Sequence, residues 1–132
     1  MKNQRAFTLI ELVATLSIIG ILLAIIVSIL INGLNASNRS ATNQQIQQEA
    51  NYITETIRKE YLKLPSESTN SMITLTVVGD TLELNGNKIS EGYEYTVPNN
   101  LIDTNDSSVY FYLEIKKNDI KYQVETTFSK LK

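Results

Sequence analysis

Residues Phe7 to Ile31 read FTLIELVATLSIIGILLAIIVSILI, twenty-five positions in which Glu11 is the only charge. At about 1.5 Å of rise per residue, a helix of about 20 apolar residues crosses a hydrocarbon core of roughly 30 Å. The uncharged stretch Leu12 to Ile31 meets that length by itself. Lys2 and Arg5 precede the run with no acid beside them, and the polar stretch Asn32 to Gln48 follows at once. The positive-inside tendency then predicts a cytoplasmic N-terminus, one crossing and an external head. A cleaved secretory signal would have an apolar core of about 7 to 15 residues and small residues after it. This run is longer, and Asn32 to Ala36 (NGLNA) does not supply such a site. An uncleaved signal anchor is the plain alternative.

Glu11 separates the readings. A carboxylate at the start of a membrane-length apolar helix is costly unless it has a partner or reaches the headgroups, so it is a functional-site candidate by default. Solvation at headgroup depth is the competing account.

Residues Ala6 to Leu12, AFTLIEL, with the short basic leader before them and the apolar run behind, resemble the processing and methylation signature of type IV prepilins and pseudopilins. The resemblance implies that a membrane-embedded prepilin peptidase cuts between Ala6 and Phe7 and methylates the new amino group of Phe7. Ala6 stands where the family most often has Gly. Ser28 stands in a region where many members carry a helix-loosening Pro, leaving Gly20 and Ser28 as the weaker bending points. After the cut, the Phe7 amine can carry positive charge and Glu11 can pair with it. Pairing with the amine of an axially shifted neighbouring subunit would favour one register of assembly, and a pair within the first turn of the same chain is the alternative. Small residues such as Gly20 and Ala24 let helices approach closely in the bilayer. Partners implied by the resemblance are the prepilin peptidase, homologous pilin subunits in a homo- or hetero-oligomeric filament, a platform protein and an assembly ATPase, with membrane lipid around the anchor.

Composition narrows the alternatives. The 132 residues contain no Cys and no His, which removes disulfides, thiolate and imidazole metal ligands, Cys nucleophiles and His-based triads. Twelve basic against fourteen acidic residues leave a formal charge of -2, so bulk charge names no partner. No cofactor, metal site or catalytic set is expected, and the chain reads as a structural protein.

Beyond the anchor, Ile46, Ala50, Ile53, Ile57, Tyr61 and Leu64 recur at helical spacing, with polar residues between them, and Pro65 closes the segment. One long helix through Asn32 to Gln48 is preferred over a flexible neck. After Pro65 the period shifts to 2. Met72 to Val78, Thr81 to Asn85 and Lys88 to Ser90 read as short strands, with Gly79-Asp80 and Asn85-Gly86 as turns. Tyr93 to Val97 adds a candidate strand. Ser108 to Lys116 and Ile120 to Phe128 read as a hairpin joined by Lys117, Asn118 and Asp119. Its apolar faces are Val109, Phe111, Leu113 and Ile115 on one strand and Ile120, Tyr122, Val124 and Phe128 on the other.

The expected fold is α+β: a long N-terminal helix, membrane-spanning in its first half and amphipathic in its second, packed on a small antiparallel sheet, as in type IV pilins. The expected organisation is a leader over 1–6, a transmembrane helix over 7–31, a neck and amphipathic helix over 32–64 and a β head over 65–132. The function implied is a subunit of a pilus-like filament, either pilin or minor pseudopilin, serving DNA uptake (competence), protein secretion or adhesion at the cell surface. A membrane-tethered external binding module that does not polymerise is the alternative. Three further patterns carry less. Asp103, Asn105 and Asp106 read as a polar loop that offers oxygens but lacks the Gly and distal Glu of a calcium loop. Lys116, Lys117, Lys121, Lys130 and Lys132, interleaved with Tyr110, Tyr112 and Tyr122, suit single-stranded DNA, but Glu114, Asp119 and Glu125 dilute them. Glu91 and Glu94 form no carboxylate pair that sequence can place at catalytic distance.

Overall fold

A computed structural model describes residues 8–63 and 72–130. Ala6, Phe7, Leu64, Pro65 and Lys132, singled out above, lie outside the described residues. Two compact units are resolved, Met1–Asn38 and Arg39–Lys132.

One α-helix, α1, runs over Leu9–Lys63 for 55 residues. No Pro interrupts it, and the Asn- and Ser-rich stretch after Ile31 continues it without a break, so the expected neck is helical. Along the first unit every side chain from Thr8 to Asn38 is exposed. The apolar series includes Leu9, Leu16, Ile21 and Ile29, each more than half exposed. That surface needs lipid or other helices to cover it, because soluble monomers rarely expose apolar patches of such extent. The helix is long and apolar enough to cross a membrane. Its hydroxyls turn inward along the backbone: Thr15 Oγ1 donates to the Leu12 carbonyl at 2.9 Å and Ser17 Oγ to that of Val13 at 2.8 Å. These two hydroxyl hydrogens are thereby satisfied within the helix, as a bilayer requires.

In the second unit the same helix becomes amphipathic. Ile46, Ala50, Ile53, Ile57 and Tyr61 are fully buried, the stripe expected from their spacing. They form one core with Ile73, Leu75, Leu82, Leu84, Tyr95, Ile102, Phe111, Leu113, Ile115 and Phe128. Each fully buried aliphatic side chain there stabilises the unit by about 1.5–3 kcal/mol relative to exposure.

Among the described residues seven strands follow: β1 Met72–Val78, β2 Thr81–Leu84, β3 Asn87–Glu91, β4 Glu94–Thr96, β5 Leu101–Asp103, β6 Ser108–Lys117 and β7 Ile120–Ser129. They form two antiparallel sheets, ordered β3-β2-β1-β5 and β4-β6-β7. The fold is α+β. Three details differ from expectation. There are two sheets where one was expected, because β4 pairs with β6 rather than extending the β1–β3 meander. Strand β5, three residues too short to show a period, pairs with Met72–Thr74 and places Asp103 in a strand rather than a loop. The β6–β7 turn has two residues, not three, since Lys117 pairs directly with Ile120. Asn118 and Asp119 both take positive φ there, at 50° and 61°, as a type I′ turn demands. The β2–β3 turn uses the same geometry at Asn85 and Gly86.

Strand β3 carries an irregularity. Leu84 pairs with Asn87 and Glu83 with Lys88, but Leu82 pairs with Ser90, so Ile89 and Ser90 together oppose one residue. This bulge puts Ser90 on the inner face where plain alternation would have placed Ile89. Ser90 is accordingly buried.

Candidate functional site

The first turn of α1 is closed by a side-chain lock. Thr8 donates from its backbone N–H to Glu11 Oε2 at 3.0 Å and from its hydroxyl to the same oxygen at 2.9 Å. In return the Glu11 N–H donates to Thr8 Oγ1 at 3.4 Å. Leu12 N–H donates to the Thr8 carbonyl at 3.2 Å, so Thr8 is the N-cap and Glu11 the third helical residue. This is the capping box, in which a Thr and a Glu three positions apart satisfy each other's turn of the helix. The Glu11 side chain is exposed. Within its own first turn the Glu11 carboxylate is held by Thr8, and the expected pairing of Glu11 with the Phe7 amine falls outside the described residues. Every donor recorded among the described residues reaches Oε2. Thr8 was missed in the sequence, although the T-x-x-E spacing directly before an apolar run is the signal that finds it.

Gly20 and Ala24 lie farther along the helix, Gly20 about 13 Å from Glu11 by helical rise. A Cβ placed on Gly20 would meet nothing within 4 Å. Ala24 and Ser28 sit in a shallow apolar groove with Leu23, Val27, Ile31 and Asn32. Gly20, Ala24 and Ser28 are spaced four apart and share one helix face, the pattern that lets a second helix approach closely. The structure does not bring Glu11 together with Gly20 or Ala24: they are successive stations on one helix.

In the head, the buried Tyr95 and Ser90 and the half-buried Glu49 form a relay between two strands and α1. Ser90 Oγ donates to Glu49 Oε1 and lies 2.5 Å from the Tyr95 hydroxyl. A serine has one proton to give, so with Glu49 receiving it the Tyr95 hydroxyl must donate to Ser90. Burial pushes the Tyr95 phenol up to about 12, and the Glu49 carboxylate adds to the shift. The relay ties α1 to β3 in one sheet and β4 in the other. Neither Ser90 nor Glu49 carried a sequence signal, because the bulge that aims Ser90 inward is not written in the alternation.

The remaining candidates are occupied by structural contacts. Asp103 Oδ1 accepts the Asn105 N–H at 2.8 Å, and the Asp106 carbonyl accepts the Tyr61 hydroxyl at 2.6 Å. Among the described residues no three acids are grouped to hold a metal ion. Lys116 pairs with Glu94 at 3.0 Å and Lys121 with Glu114 at 3.4 Å. The ammonium groups of Lys117 and Lys130 lie over the rings of Tyr93 and Tyr61. The Glu94 carboxylate raises the Lys116 pKa, and the Gln123 amide lowers that of Glu114. These lysines stabilise the hairpin and its surroundings rather than forming an open basic track.

Comparison with protein families adds one match. Residues 1–27 fit the family model described as the prokaryotic N-terminal methylation motif. No curated protein and no solved structure matches the chain. The N-terminal segment therefore carries the prepilin-type signal of type IV pilins and pseudopilins.

Proposed function

We propose that the chain is a structural subunit of a type IV pilus-like filament, a pilin or minor pseudopilin that polymerises through its N-terminal helix. The observation that carries this reading is the conjunction at the N-terminus. A methylation motif opens a helix whose apolar side chains are exposed from Leu9 onward, with one acid held at its first turn. In this reading prepilin peptidase cuts between Ala6 and Phe7 and methylates the Phe7 amine. The span over 7–31 holds the chain in the cytoplasmic membrane, N-terminus inside and head outside, until assembly extracts it into a cell-surface filament.

Thr8 holds the Glu11 carboxylate at the helix start, where it can receive the methylated amine of a neighbour shifted along the filament axis. In a low-dielectric bundle the charge must be compensated, so the pair selects one register. Lipid contacts along the helix are exchanged for helix contacts, and the Gly20, Ala24 and Ser28 face supplies the close approach. A platform protein and an assembly ATPase drive the extraction. The filament serves DNA uptake, protein secretion or adhesion.

Mass spectrometry of membrane-derived protein tests the processing. The expected N-terminus is methylated Phe7, and an intact Met1 start in the presence of active peptidase would overturn the reading. Glu11→Ala tests the pairing separately. Membrane insertion should persist while incorporation into filaments falls sharply, and a normal filament yield would remove the register mechanism while leaving processing untouched.

A further inference from the structure

Strand β7 is the edge of its sheet: it pairs with β6 on one side, and among the described residues no strand pairs with the other. Its ten residues run against β6 without a shift in register, and it contains no Pro. Such an edge invites strand addition, and natural proteins usually blunt it with bulges, Pro, short length or charged side chains. Strand β7 has none of the first three, and its two charges, Lys121 and Glu125, are of opposite sign.

The direction of its free backbone groups follows from one hydrogen bond. Lys130 N–H donates to the Ser107 carbonyl at 2.9 Å, continuing the β6–β7 ladder by one step. In an antiparallel ladder alternate residues turn both N–H and C=O to the same neighbour. The even-numbered residues of β7 therefore face β6, and Lys121, Gln123, Glu125, Thr127 and Ser129 present theirs at the open edge. On the inner face Ile120, Tyr122 and Val124 are only half-buried, although they pack against the core. Both the polar edge and this apolar row are incomplete along the same line.

We infer that the open edge of β7 pairs antiparallel with β7 of a second copy of this chain, Gln123 facing Gln123 and Lys121 facing Glu125. The register follows from charge and parity. Ladder bonds must join odd-numbered residues, and centring the two-fold on Gln123 sets Lys121 of each copy opposite Glu125 of the other. The same register places Tyr122 opposite Val124, so the half-buried rows meet. Centring on Glu125 would oppose two like charges, which is unfavourable in a cross-strand pair. Centring on Val124 leaves Lys121 opposite Thr127 without a charge partner. Lys121, itself exposed, now pairs with the half-buried Glu114 of its own chain, a contact it can leave or share.

The symmetry restricts where the contact forms. A two-fold axis normal to a sheet reverses every direction in its plane. The helix runs along β7, since Arg39, Ser40 and Asn43 share a depression with Ile120 at one end, and at the other the ring of Tyr61 lies tilted against that of Phe128 with centroids 5.9 Å apart. Helix residues 39–63 of the two copies thus point in opposite directions. The pairing joins two heads whose helices run in opposite directions. The pairing itself does not depend on the filament reading.

The chain has no Cys, so single cysteines report cleanly. In the full chain in detergent micelles, Gln123→Cys should form a disulfide-linked dimer on mild oxidation, because directly bonded strand neighbours lie about 5.5 Å apart at Cα, within disulfide reach. Thr127→Cys, whose two copies lie about 26 Å apart along the strands in this register, should not. Adding Lys121→Glu should lower the Gln123→Cys dimer yield several-fold, and adding Glu125→Lys to that should restore it. The unaltered chain provides a check independent of variant folding. Carbodiimide, a zero-length coupler, should join Lys121 to Glu125, which within one strand are about 13 Å apart and cannot be joined. Absence of that link, absence of the Gln123→Cys dimer, or equal dimers from Thr127→Cys would each overturn the proposal.

Discussion

Removing the Ser90 hydroxyl should loosen the head more than a serine at a strand normally would. Ser90 is 6% exposed and Tyr95 8%, so their hydroxyls have little access to replacement water. Ser90→Ala deletes two hydrogen bonds, leaving the Tyr95 hydroxyl without its acceptor and Glu49 Oε1 without its donor. A buried polar group left unpaired costs about 1–3 kcal/mol. Glu49 is only half-buried and can recruit solvent, which places the expected loss at about 1–2 kcal/mol. For a head of this size that corresponds to a Tm lower by about 5–15 °C. The assay is thermal unfolding of the full chain in detergent, followed by near-ultraviolet circular dichroism of its seven tyrosines, with no Trp to interfere. A double-mutant cycle with Tyr95→Phe adds the decisive measurement. Because both substitutions break the same relay, their combined cost should fall short of the sum by about 0.5 kcal/mol or more. Additive costs, or a Ser90→Ala protein that melts with the parent, would refute the relay as the tie between α1 and the two sheets.

Alkaline stability should depend on the same phenol. Its pKa is raised in the folded head, so the proton is held more tightly there than in the unfolded chain; stability is full below pH 10 and declines as pH rises from about 10 through about 12. Urea unfolding at pH 9, 10 and 11 should show this decline, and Tyr95→Phe should make it shallower, the other raised tyrosines accounting for the remainder. Ile53→Ala, in the middle of the buried helix stripe, should cost about 2–5 kcal/mol in chemical denaturation while leaving N-terminal processing unchanged. Gly20→Leu should be silent for the single chain, since open space surrounds that position, yet lower filament yield through helix packing; parental filament yield would exclude that face from assembly.

Much of this architecture is legible in the chain. The buried helix residues fall at the spacing of four, three, four and four that the sequence displays, and β1 spans the residues its alternation marks. The type I′ turns coincide with Asn-Gly and Asn-Asp because few residues tolerate positive φ at both positions. Glu11 is visible as the one charge in an apolar run, and its Thr8 partner by spacing alone. Other features are not legible for stateable reasons. Strand β5 has three residues and no period to detect; it exists because Leu101–Asp103 completes the ladder of Met72–Thr74. The division into two sheets arises because β4 pairs with β6, a choice made between distant segments.

Helix length, membrane-spanning capacity, the processing signal and the change from helix to strands all rest on neighbouring residues, whose size, charge and period act locally. Which hydroxyl faces the core and which strand is left at an edge are settled elsewhere. Ser90 meets Glu49 across 41 positions only because the β3 bulge turns it inward, and β7 is an edge only because no other described strand pairs beside it. Such outcomes depend on competition among distant partners for the same backbone groups, so they emerge only when the whole head is packed.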